Sequence, residues 1–218
     1  MKIAVLGGTG HLGAGLSLRL AIAGYEVIIG SRSEEKARIK AEEYGRMLSE
    51  RGHSGKFSGM TNSEASKSCD IAIVTVPWEQ AFLLAENLKE ELAGKIVVSP
   101  LVPMRKDGKT FRYVELPEGS AGKRVARILK ESKVVSAYQC IPADRFADLE
   151  ASFEWDVIVC SDHEDAKETV MEITDSIEGL KALDGGNLEN SKLVESLTVL
   201  ILNLMTLNGL KGLGIKFC

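Results

Sequence analysis

The chain has 218 residues, of which 44% are hydrophobic and 27% are charged, and its formal net charge is −4. This length and hydrophobic content suit one compact domain, or one domain with a small additional part. The chain has no long basic run, which argues against a nucleic-acid partner. Its longest apolar stretch, near Leu197 to Leu207, is interrupted by Asn203 and is too short to span a bilayer. We therefore expect no nucleic acid and no membrane among its partners.

Cysteine usage and the start of the chain bear on the cellular compartment. The four cysteines are widely spaced and form no C-x-x-C pair: Cys69, Cys140, Cys160 and Cys218. This pattern is typical of reduced thiols and not of a disulfide framework or a zinc site. The first predicted strand starts at residue 2, so we expect no signal peptide. The sequence therefore predicts a cytoplasmic protein without a metal ion.

Strand and helix patterns alternate through the first two thirds of the chain. Apolar runs predict strands at residues 2–6, 26–30, 57–60, 71–76, 95–99 and 133–138, with shorter ones at 157–160 and 180–183. Helices are predicted directly after residue 13 and at 34–51, 79–92, 119–131, 164–177 and 188–207. Residues 104–118 are predicted to form an irregular loop. The alternation predicts an α/β fold, a Rossmann-like parallel sheet with helices on both faces and a small C-terminal α+β part.

A glycine motif joins the first strand to the first helix. It reads Gly8-Thr9-Gly10-His11-Leu12-Gly13, an unbroken G-x-G-x-x-G in the strand-to-helix context that makes it a dinucleotide fingerprint. Gly8 permits the tight turn, Gly10 lets the backbone approach a pyrophosphate, and Gly13 lets the helix pack closely on the strand. The helix N-terminus then offers free N–H groups and a partial positive charge to the phosphates.

The end of the second strand predicts which dinucleotide is bound. NAD-binding proteins carry an acidic residue there for the ribose 2′-hydroxyl, whereas this chain has Ser31 and Arg32, with Lys36 one helical turn further on. These side chains suit a 2′-phosphate. Hydrogen bonds to charged groups contribute roughly 1.5–3 kcal/mol each, so two of them favour NADP over NAD by roughly 10²–10⁴. We expect an NADP-binding Rossmann domain at residues 1–142, a hinge within residues 143–154 and a C-terminal domain at residues 143–218.

The loops at the carboxyl ends of the predicted strands are poor in residues for acid–base chemistry. A carbonyl reductase needs a positioned acid, and none of the four tyrosines has Lys four residues later. The three histidines are best explained as surface residues, although the backbone of His11 should face the pyrophosphate. Direct hydride transfer between two organic cofactors fits this lack of an acid, because the protein needs only to align the rings and exclude water.

Several stretches resemble one known family over essentially the whole chain. They are Leu6-Gly7-Gly8-Thr9-Gly10, Gly30-Ser31-Arg32, Pro77-Trp78-Glu79, Val97-Val98-Ser99-Pro100-Leu101-Val102-Pro103, Phe153-Glu154-Trp155-Asp156-Val157, Leu193-Val194-Glu195-Ser196-Leu197-Thr198 and Leu213-Gly214-Ile215-Lys216-Phe217. On these motifs the chain resembles the coenzyme F420-dependent NADP oxidoreductases of methanogens and related archaea. The resemblance implies reversible hydride transfer between reduced F420, a deazaflavin, and NADP, with the two rings stacked in a cleft closed by the C-terminal part. Nothing in the residue spacing by itself identifies F420.

The resemblance also implies where the two cofactors bind. Residues 9–12 would hold the pyrophosphate, and Ser31, Arg32 and Lys36 would hold the 2′-phosphate. Val76, Pro77, Trp78 and Ala143 would border the nicotinamide, and the deazaflavin would meet Ser99, Pro100, Leu101, Val102, Gln139, Ile141, Ser196, Thr198 and Leu213. No catalytic side chain is expected, since the hydride passes directly between the cofactors. Some family members have His where Gln139 stands, and Gln cannot carry a proton at neutral pH.

Two other functions stay open at this point. An NADPH-dependent imine or carbonyl reductase of the pyrroline-carboxylate type would also combine a Rossmann domain with a helical C-terminus, although such enzymes usually have a longer helical part than the roughly 30 residues after Asn187. A non-catalytic NADP-sensing domain would bind the nucleotide and present a partner surface. The apolar last helix suits either the core or a homodimer interface, so we expect a homodimer.

Overall fold

The computed structural model describes residues 1–218. The strands are β1 (Lys2–Leu6), β2 (Glu26–Ser31), β3 (Lys56–Thr61), β4 (Ile71–Val74), β5 (Ile96–Ser99), β6 (Met104–Asp107), β7 (Thr110–Tyr113), β8 (Lys133–Ser136), β9 (Trp155–Ser161) and β10 (Leu180–Asp184). The helices are α1 (His11–Ile22), α2 (Glu34–Ser49), α3 (Asn62–Ser68), α4 (Trp78–Asn87), α5 (Ala121–Ile128), α6 (Ala143–Ala147), α7 (Glu164–Asp175) and α8 (Ser191–Asn208), with a short 3-10 turn at Leu188–Asn190.

Eight strands form one sheet in the order β10-β9-β8-β5-β4-β1-β2-β3. The six strands from β8 to β3 run parallel to one another. β9 pairs antiparallel with β8 and parallel with β10, so the last two strands run in the opposite direction to the other six. The order changes direction at β1 and β4, and this is where open α/β sheets bind ligands. The predicted Rossmann-like fold class is confirmed.

The hydrophobic core lies on both faces of the sheet. Ile3 and Val5 of β1 pack with α1, α2 and α7, whereas the alternating Ala4 and Leu6 pack with α3, α4 and α5. All four side chains are completely buried. A strand covered on both faces needs apolar residues at every position, because successive side chains point to opposite faces. This explains why the strand appears in the sequence as a continuous apolar run.

Residues 104–118 do not form the predicted irregular loop. They contain the hairpin β6–β7, which turns at Gly108 with a φ of +60°. The residues of β6 are largely exposed and mostly charged, so the strand lacks an apolar pattern. The hairpin is held by Asn203 of α8, whose Oδ1 accepts from the backbone N–H of Phe111 at 2.7 Å and whose Nδ2 donates to the Phe111 carbonyl at 2.9 Å.

Two predicted strands end earlier than expected, at positions that open onto the ligand edge of the sheet. β4 stops at Val74, and just beyond it the backbone N–H and the hydroxyl of Thr75 both donate to the carbonyl of Leu6, at 2.8 and 3.0 Å. β8 stops at Ser136, two residues before Tyr138, which has a φ of +69°. The helices predicted at 79–92 and 119–131 are likewise shorter in the structure.

The C-terminal third extends the same sheet through β9 and β10. Within residues 143–154, α6 packs on α1, and the Arg19 guanidinium donates at 2.8 Å to the carbonyls of Phe146 and Asp148. The domain boundary at residue 142 and the hinge at 143–154 stay predictions. None of the helices, α8 included, is both long enough and apolar enough to cross a membrane.

Candidate functional site

Two adjoining clefts open at the carboxyl ends of the parallel strands. One is polar, with a volume of about 700 Å³, and the other is largely apolar, with a volume of about 1150 Å³. Both are lined by Thr75, Val76 and Pro77, which join β4 to α4, and by Glu79 in the first turn of α4. A ligand that fills both clefts must therefore pass over this shared segment.

The glycine loop forms one wall of the polar cleft. Its left-handed residue is Gly7, with a φ of +81°, so the tight turn rests on Gly7 and not on Gly8 as predicted. A Cβ on Gly8 would lie 2.8 Å from the Val5 carbonyl oxygen, and a Cβ on Gly13 would lie 2.7 Å from the Gly8 Cα. These two glycines are needed for close packing.

Gly10 differs from the other glycines of the motif. A Cβ there would meet nothing closer than the Gly7 carbonyl oxygen at 3.6 Å, and Gly10 lines the polar cleft as the N-cap of α1. Its missing side chain thus leaves space for a ligand and not for the protein. The first N–H groups of α1 lack partners within the helix, so this space suits the pyrophosphate of a dinucleotide.

The predicted cations also line the polar cleft. Ser31, Arg32, Ser33 and Lys36 all line it. Neither Arg32 nor Lys36 pairs with a carboxylate of the chain, so both charges are available to a ligand. The loop is fixed locally, because the Ser33 hydroxyl accepts from the Lys36 backbone N–H at 3.3 Å and caps α2. The structure thus brings together the predicted phosphate-binding residues.

The apolar cleft gathers most of the residues predicted around the two rings. Its walls include Leu12, Val76, Pro77, Trp78, Pro100, Leu101, Val102, Gln139, Ile141, Ala143 and Thr198. The remaining predicted residues lie outside both sets of cleft walls. They are Gly8 and Gly13 beneath the glycine loop, His11 on the surface, the buried Ser99, and the half-buried Ser196 and Leu213.

The hairpin and the C-terminal segment add walls that sequence reasoning missed. Met104, Lys106 and Phe111 come from the hairpin, Arg145 from α6, Leu202 and Met205 from α8, and Leu210, Lys211 and Gly212 from the segment that follows. In the sequence these residues carry no motif, and only the positions of the hairpin and the chain end bring them together. The Trp78 indole N–H donates to the Met104 carbonyl at 3.1 Å, which fastens the hairpin to the segment shared by both clefts.

The C-terminal segment is anchored on β9. The buried Asp156 carboxylate accepts from the Lys216 ammonium at 3.0 Å and from the Phe217 backbone N–H at 2.7 Å. These hydrogen bonds hold the pKa of Asp156 below its usual value, although burial acts in the opposite direction. Gly214 lies so close to Trp155 that a Cβ would be 2.3 Å from the indole. The family motif around residues 213–217 therefore positions the segment that borders the cleft.

A buried carboxylate joins the hairpin to two helices. Glu195 of α8 has no exposed surface, and it accepts from the Tyr113 hydroxyl at 2.7 Å and from the backbone N–H groups of Ala121 and Gly122 at 3.0 and 3.1 Å. Burial raises the pKa of this carboxyl to about 6, although the hydrogen bonds favour the charged form. Glu195 thereby joins β7, the N-terminus of α5 and α8.

Gln139 lines the apolar cleft and is held by its amide nitrogen. Its Nε2 donates to the Ser99 carbonyl at 3.3 Å and to the Ser136 hydroxyl, whereas its Oε1 is buried without a partner. The hydroxyl of Ser99 is also buried and unpartnered. The preceding Tyr138 adopts its left-handed conformation while its hydroxyl shares a 2.8 Å hydrogen bond with Thr174. Strain held by surrounding contacts is common at functional sites.

The cleft contains no obvious nucleophile or metal centre. The Cys140 thiol lies beside Gln139, and burial raises its pKa to about 11, so it stays protonated at neutral pH. His11 hydrogen bonds through Nδ1 to Asp144 at 2.7 Å, and both side chains are largely exposed to solvent. No group of three or more His, Cys, Asp or Glu side chains is arranged to hold a metal ion. The geometry favours binding and alignment of ligands.

Charged side chains do line the apolar cleft. Glu79, Lys106, Asp144, Arg145 and Lys211 are all exposed members of its walls. The strand-end loops are poor in such residues, as the sequence suggested, and these charges come mainly from the hairpin, α6 and the C-terminal segment.

Comparison with known proteins agrees with this geometry. A family model described as "NADP oxidoreductase coenzyme F420-dependent" matches residues 2–103. The chain is 42% identical to an F420-dependent NADP reductase of Methanocaldococcus jannaschii, and the match covers 99% of this chain and 97% of that protein. It is 40% identical to the enzyme of the same name from Methanothermobacter marburgensis, with the same coverage of both chains.

A solved structure shares the whole fold. The protein comes from Arthrobacter sp. fb24, where it is proposed to be an F420-dependent NADP reductase, and it superposes with a TM-score of 0.83 at 24% identity. The superposition covers 100% of this chain and 99% of that one. At this identity the likeness supports the fold, whereas the curated relatives establish the family. The chain belongs to the family of F420-dependent NADP reductases.

Proposed function

We propose that this protein catalyses the reversible transfer of a hydride between reduced coenzyme F420 and NADP⁺. The observation that carries the proposal is the pair of clefts that share residues 75–77. A polar cleft with a glycine loop and two free cations suits the phosphates of NADP, and the adjoining apolar cleft suits two stacked aromatic rings. The shared segment is where the nicotinamide would leave the polar cleft and enter the apolar one.

The residues of the polar cleft would hold NADP by its charged groups. Gly10 and the N-terminus of α1 would receive the pyrophosphate, and Arg32 and Lys36 would receive the 2′-phosphate. The Ser31 hydroxyl, whose oxygen accepts from the Ser33 backbone N–H at 3.3 Å, keeps its own proton to donate. Arginine binds a phosphate through two parallel hydrogen bonds, which adds geometric selectivity to the charge attraction.

The apolar cleft would hold the deazaflavin against the nicotinamide. Trp78, Leu101 and Ile141 supply apolar surface on several sides of the space. The Gln139 amide cannot supply a proton at neutral pH, and its nitrogen already donates twice within the chain. Gln139 would thus border the rings without taking part in proton transfer.

The chemistry asks little acid–base work of the protein. The reduced deazaflavin gives a hydride to NADP⁺, so F420H₂ and NADP⁺ become F420, NADPH and a proton. Neither product is an alkoxide that an acid must protonate. The contribution of the protein is to place the two rings and to exclude water from them. The apolar side chains of Trp78, Leu101 and Ile141 in the walls of this cleft support this role.

A mixing experiment tests the proposed reaction. Purified protein is combined with reduced F420 and NADP⁺, and the visible absorbance of oxidised deazaflavin and the near-ultraviolet band of NADPH are followed together. We expect both signals to rise in equal molar amounts with NADP⁺ and to rise little with NAD⁺. NADPH binding without this reaction would refute the proposal and would favour the imine reductase or the NADP sensor. Turnover of an imine without F420 would then distinguish the imine reductase from the sensor.

We also infer that the protein is a cytoplasmic homodimer that binds only small-molecule cofactors. The four free cysteines support a reducing compartment. Support for the dimer comes from the outer face of α8, where Leu193, Leu200, Leu204 and Leu207 are between 43% and 69% exposed. Their spacing of seven, four and three residues places them on one side of the helix.

The oligomeric state tests the dimer directly. Leu200→Glu together with Leu207→Glu should convert a dimer into a monomer in sedimentation velocity, because each change buries a charge in an apolar contact. Ile39→Glu on α2 is the matched control, since Ile39 is 55% exposed and lies away from α8. A wild-type protein that sediments as a monomer at micromolar concentration, or a double variant that stays dimeric, would contradict this inference.

A further inference from the structure

The start of α3 contains a buried amide that the fold itself does not use. Asn62 is 7% exposed, its Oδ1 is buried without a hydrogen-bond partner, and its Nδ2 donates to no group of the chain. Buried polar side chains are nearly always hydrogen bonded, so an unpartnered one needs an explanation. Helix capping does not supply it, because Thr61 and Glu64 already form the complete capping box of α3.

The position of Asn62 points to the polar cleft. In the register of β2 and β3, Ser31 lies opposite Thr61, so the next residues, Arg32 and Asn62, leave the sheet at the same edge. Asn62 lines the polar cleft together with the phosphate-binding residues. The neighbouring Gly30 leaves the space that the amide occupies, since a Cβ on Gly30 would be 2.7 Å from the Asn62 Oδ1.

The orientation of the amide decides what it can bind. The Oδ1 end is turned inward against Gly30, so the Nδ2 end is the part of the group left for a ligand in the cleft. An amide nitrogen only donates hydrogen bonds. Among the groups of a dinucleotide near Arg32 and Lys36, the 2′-phosphate is the strongest acceptor, and hydrogen bonds to an ionised acceptor are the strong ones.

We propose that Asn62 is a fourth residue of the 2′-phosphate site and a determinant of NADP over NAD, through donation from its Nδ2 to the phosphate. This inference rests on the proposed use of NADP. The amide of Asn62 is a neutral donor, so it adds a directed hydrogen bond to the phosphate without adding charge. Asn62→Asp is the informative change, since it keeps the size and the inward oxygen but replaces the donor with a negative charge.

Nucleotide fragments test the inference without the hydride reaction. Binding of adenosine 2′,5′-bisphosphate and of 5′-ADP, which lacks the 2′-phosphate, is measured by calorimetry for the wild type and the variants. We expect Asn62→Asp to weaken the bisphosphate at least tenfold and to leave 5′-ADP within about threefold. Asn62→Ala, which removes the donor without adding charge, should weaken the bisphosphate by a smaller factor with the same selectivity, and thermal melting checks that both variants fold.

Asn87→Asp is the matched control, because it adds the same charge to another residue lining the same cleft. Equal losses for both nucleotides in the Asn62 variants, no loss in either, or an equal selective loss in Asn87→Asp would overturn the inference. With each of these results, the F420 mixing experiment with the wild type can still succeed. The proposed function is therefore tested independently of the role of Asn62. A wild-type protein that does not bind NADP⁺ more tightly than NAD⁺ would refute the assignment of NADP and the inference together.

Discussion

Arg32 should set the preference for NADP, and its removal is the sharpest test of the polar cleft. The side chain is exposed, lines the cleft and pairs with no carboxylate of the chain, so a bound 2′-phosphate would be its main partner. A hydrogen bond to a charged group contributes about 1.5–3 kcal/mol, and about 1.4 kcal/mol corresponds to a tenfold change in the dissociation constant. Losing one such contact therefore weakens NADP binding by about 10- to 150-fold.

Arg32→Asp adds repulsion between the new carboxylate and the phosphate, so the loss should reach the upper end of that range. NAD has no 2′-phosphate, and its dissociation constant should change by less than about threefold. Calorimetric titration with both nucleotides measures the two constants. Arg38→Asp serves as the control, because Arg38 is an exposed residue of α2 outside both clefts and the change in net charge is identical. Equal losses for NADP and NAD in Arg32→Asp, or an equal NADP loss in Arg38→Asp, would refute the reasoning.

Three further predictions concern the glycine loop, the hairpin and the buried carboxylate. Gly10→Ala should melt at the wild-type temperature but lose NADP affinity, because its Cβ would enter the ligand space. Gly13→Ala should instead lower the melting temperature, because its Cβ would lie 2.7 Å from the backbone of the loop. The reverse pattern would contradict both roles. Asn203→Ala removes both hydrogen bonds to β7 and should raise the KM for F420 while the dissociation constant of NADP stays within about twofold; a loss confined to NADP would disprove the role of the hairpin. The pKa of Glu195 is raised from 4.5 to about 6, so the folded state favours the protonated form of this carboxyl. As the pH rises from 4.5 through 6, the group therefore lowers the free energy of unfolding by about 2 kcal/mol. Denaturant titrations should therefore show the wild type losing about that much stability relative to Glu195→Gln over this interval, and a constant difference between the two proteins would contradict the assignment.

Local chemistry made much of the nucleotide-binding half predictable from the sequence. The continuous apolar run of β1 specifies a strand buried on both faces, and Gly7, Gly8 and Gly13 after it specify a turn that leaves no room for side chains. Ser31, Arg32 and Lys36 lie within one turn of a helix start, so their convergence follows from their spacing alone. The identity of the second cofactor came from resemblance, since no residue spacing encodes a deazaflavin.

The apolar cleft was decided by tertiary structure. Its walls combine residues from α4, the hairpin, α6, α8 and the C-terminal segment, which are separated by up to about 130 positions in the chain. β6 has no apolar alternation, and its hairpin is held through β7 by Asn203 of a distant helix. The Gln139 amide is likewise fixed by Ser99 and Ser136, which come from neighbouring strands. Asn62 is equally ordinary in the sequence, and it becomes informative only when the pairing of β2 with β3 sets it beside Arg32. Local sequence thus determined the elements and the phosphate site, whereas contacts between distant segments determined the space in which the two rings would meet.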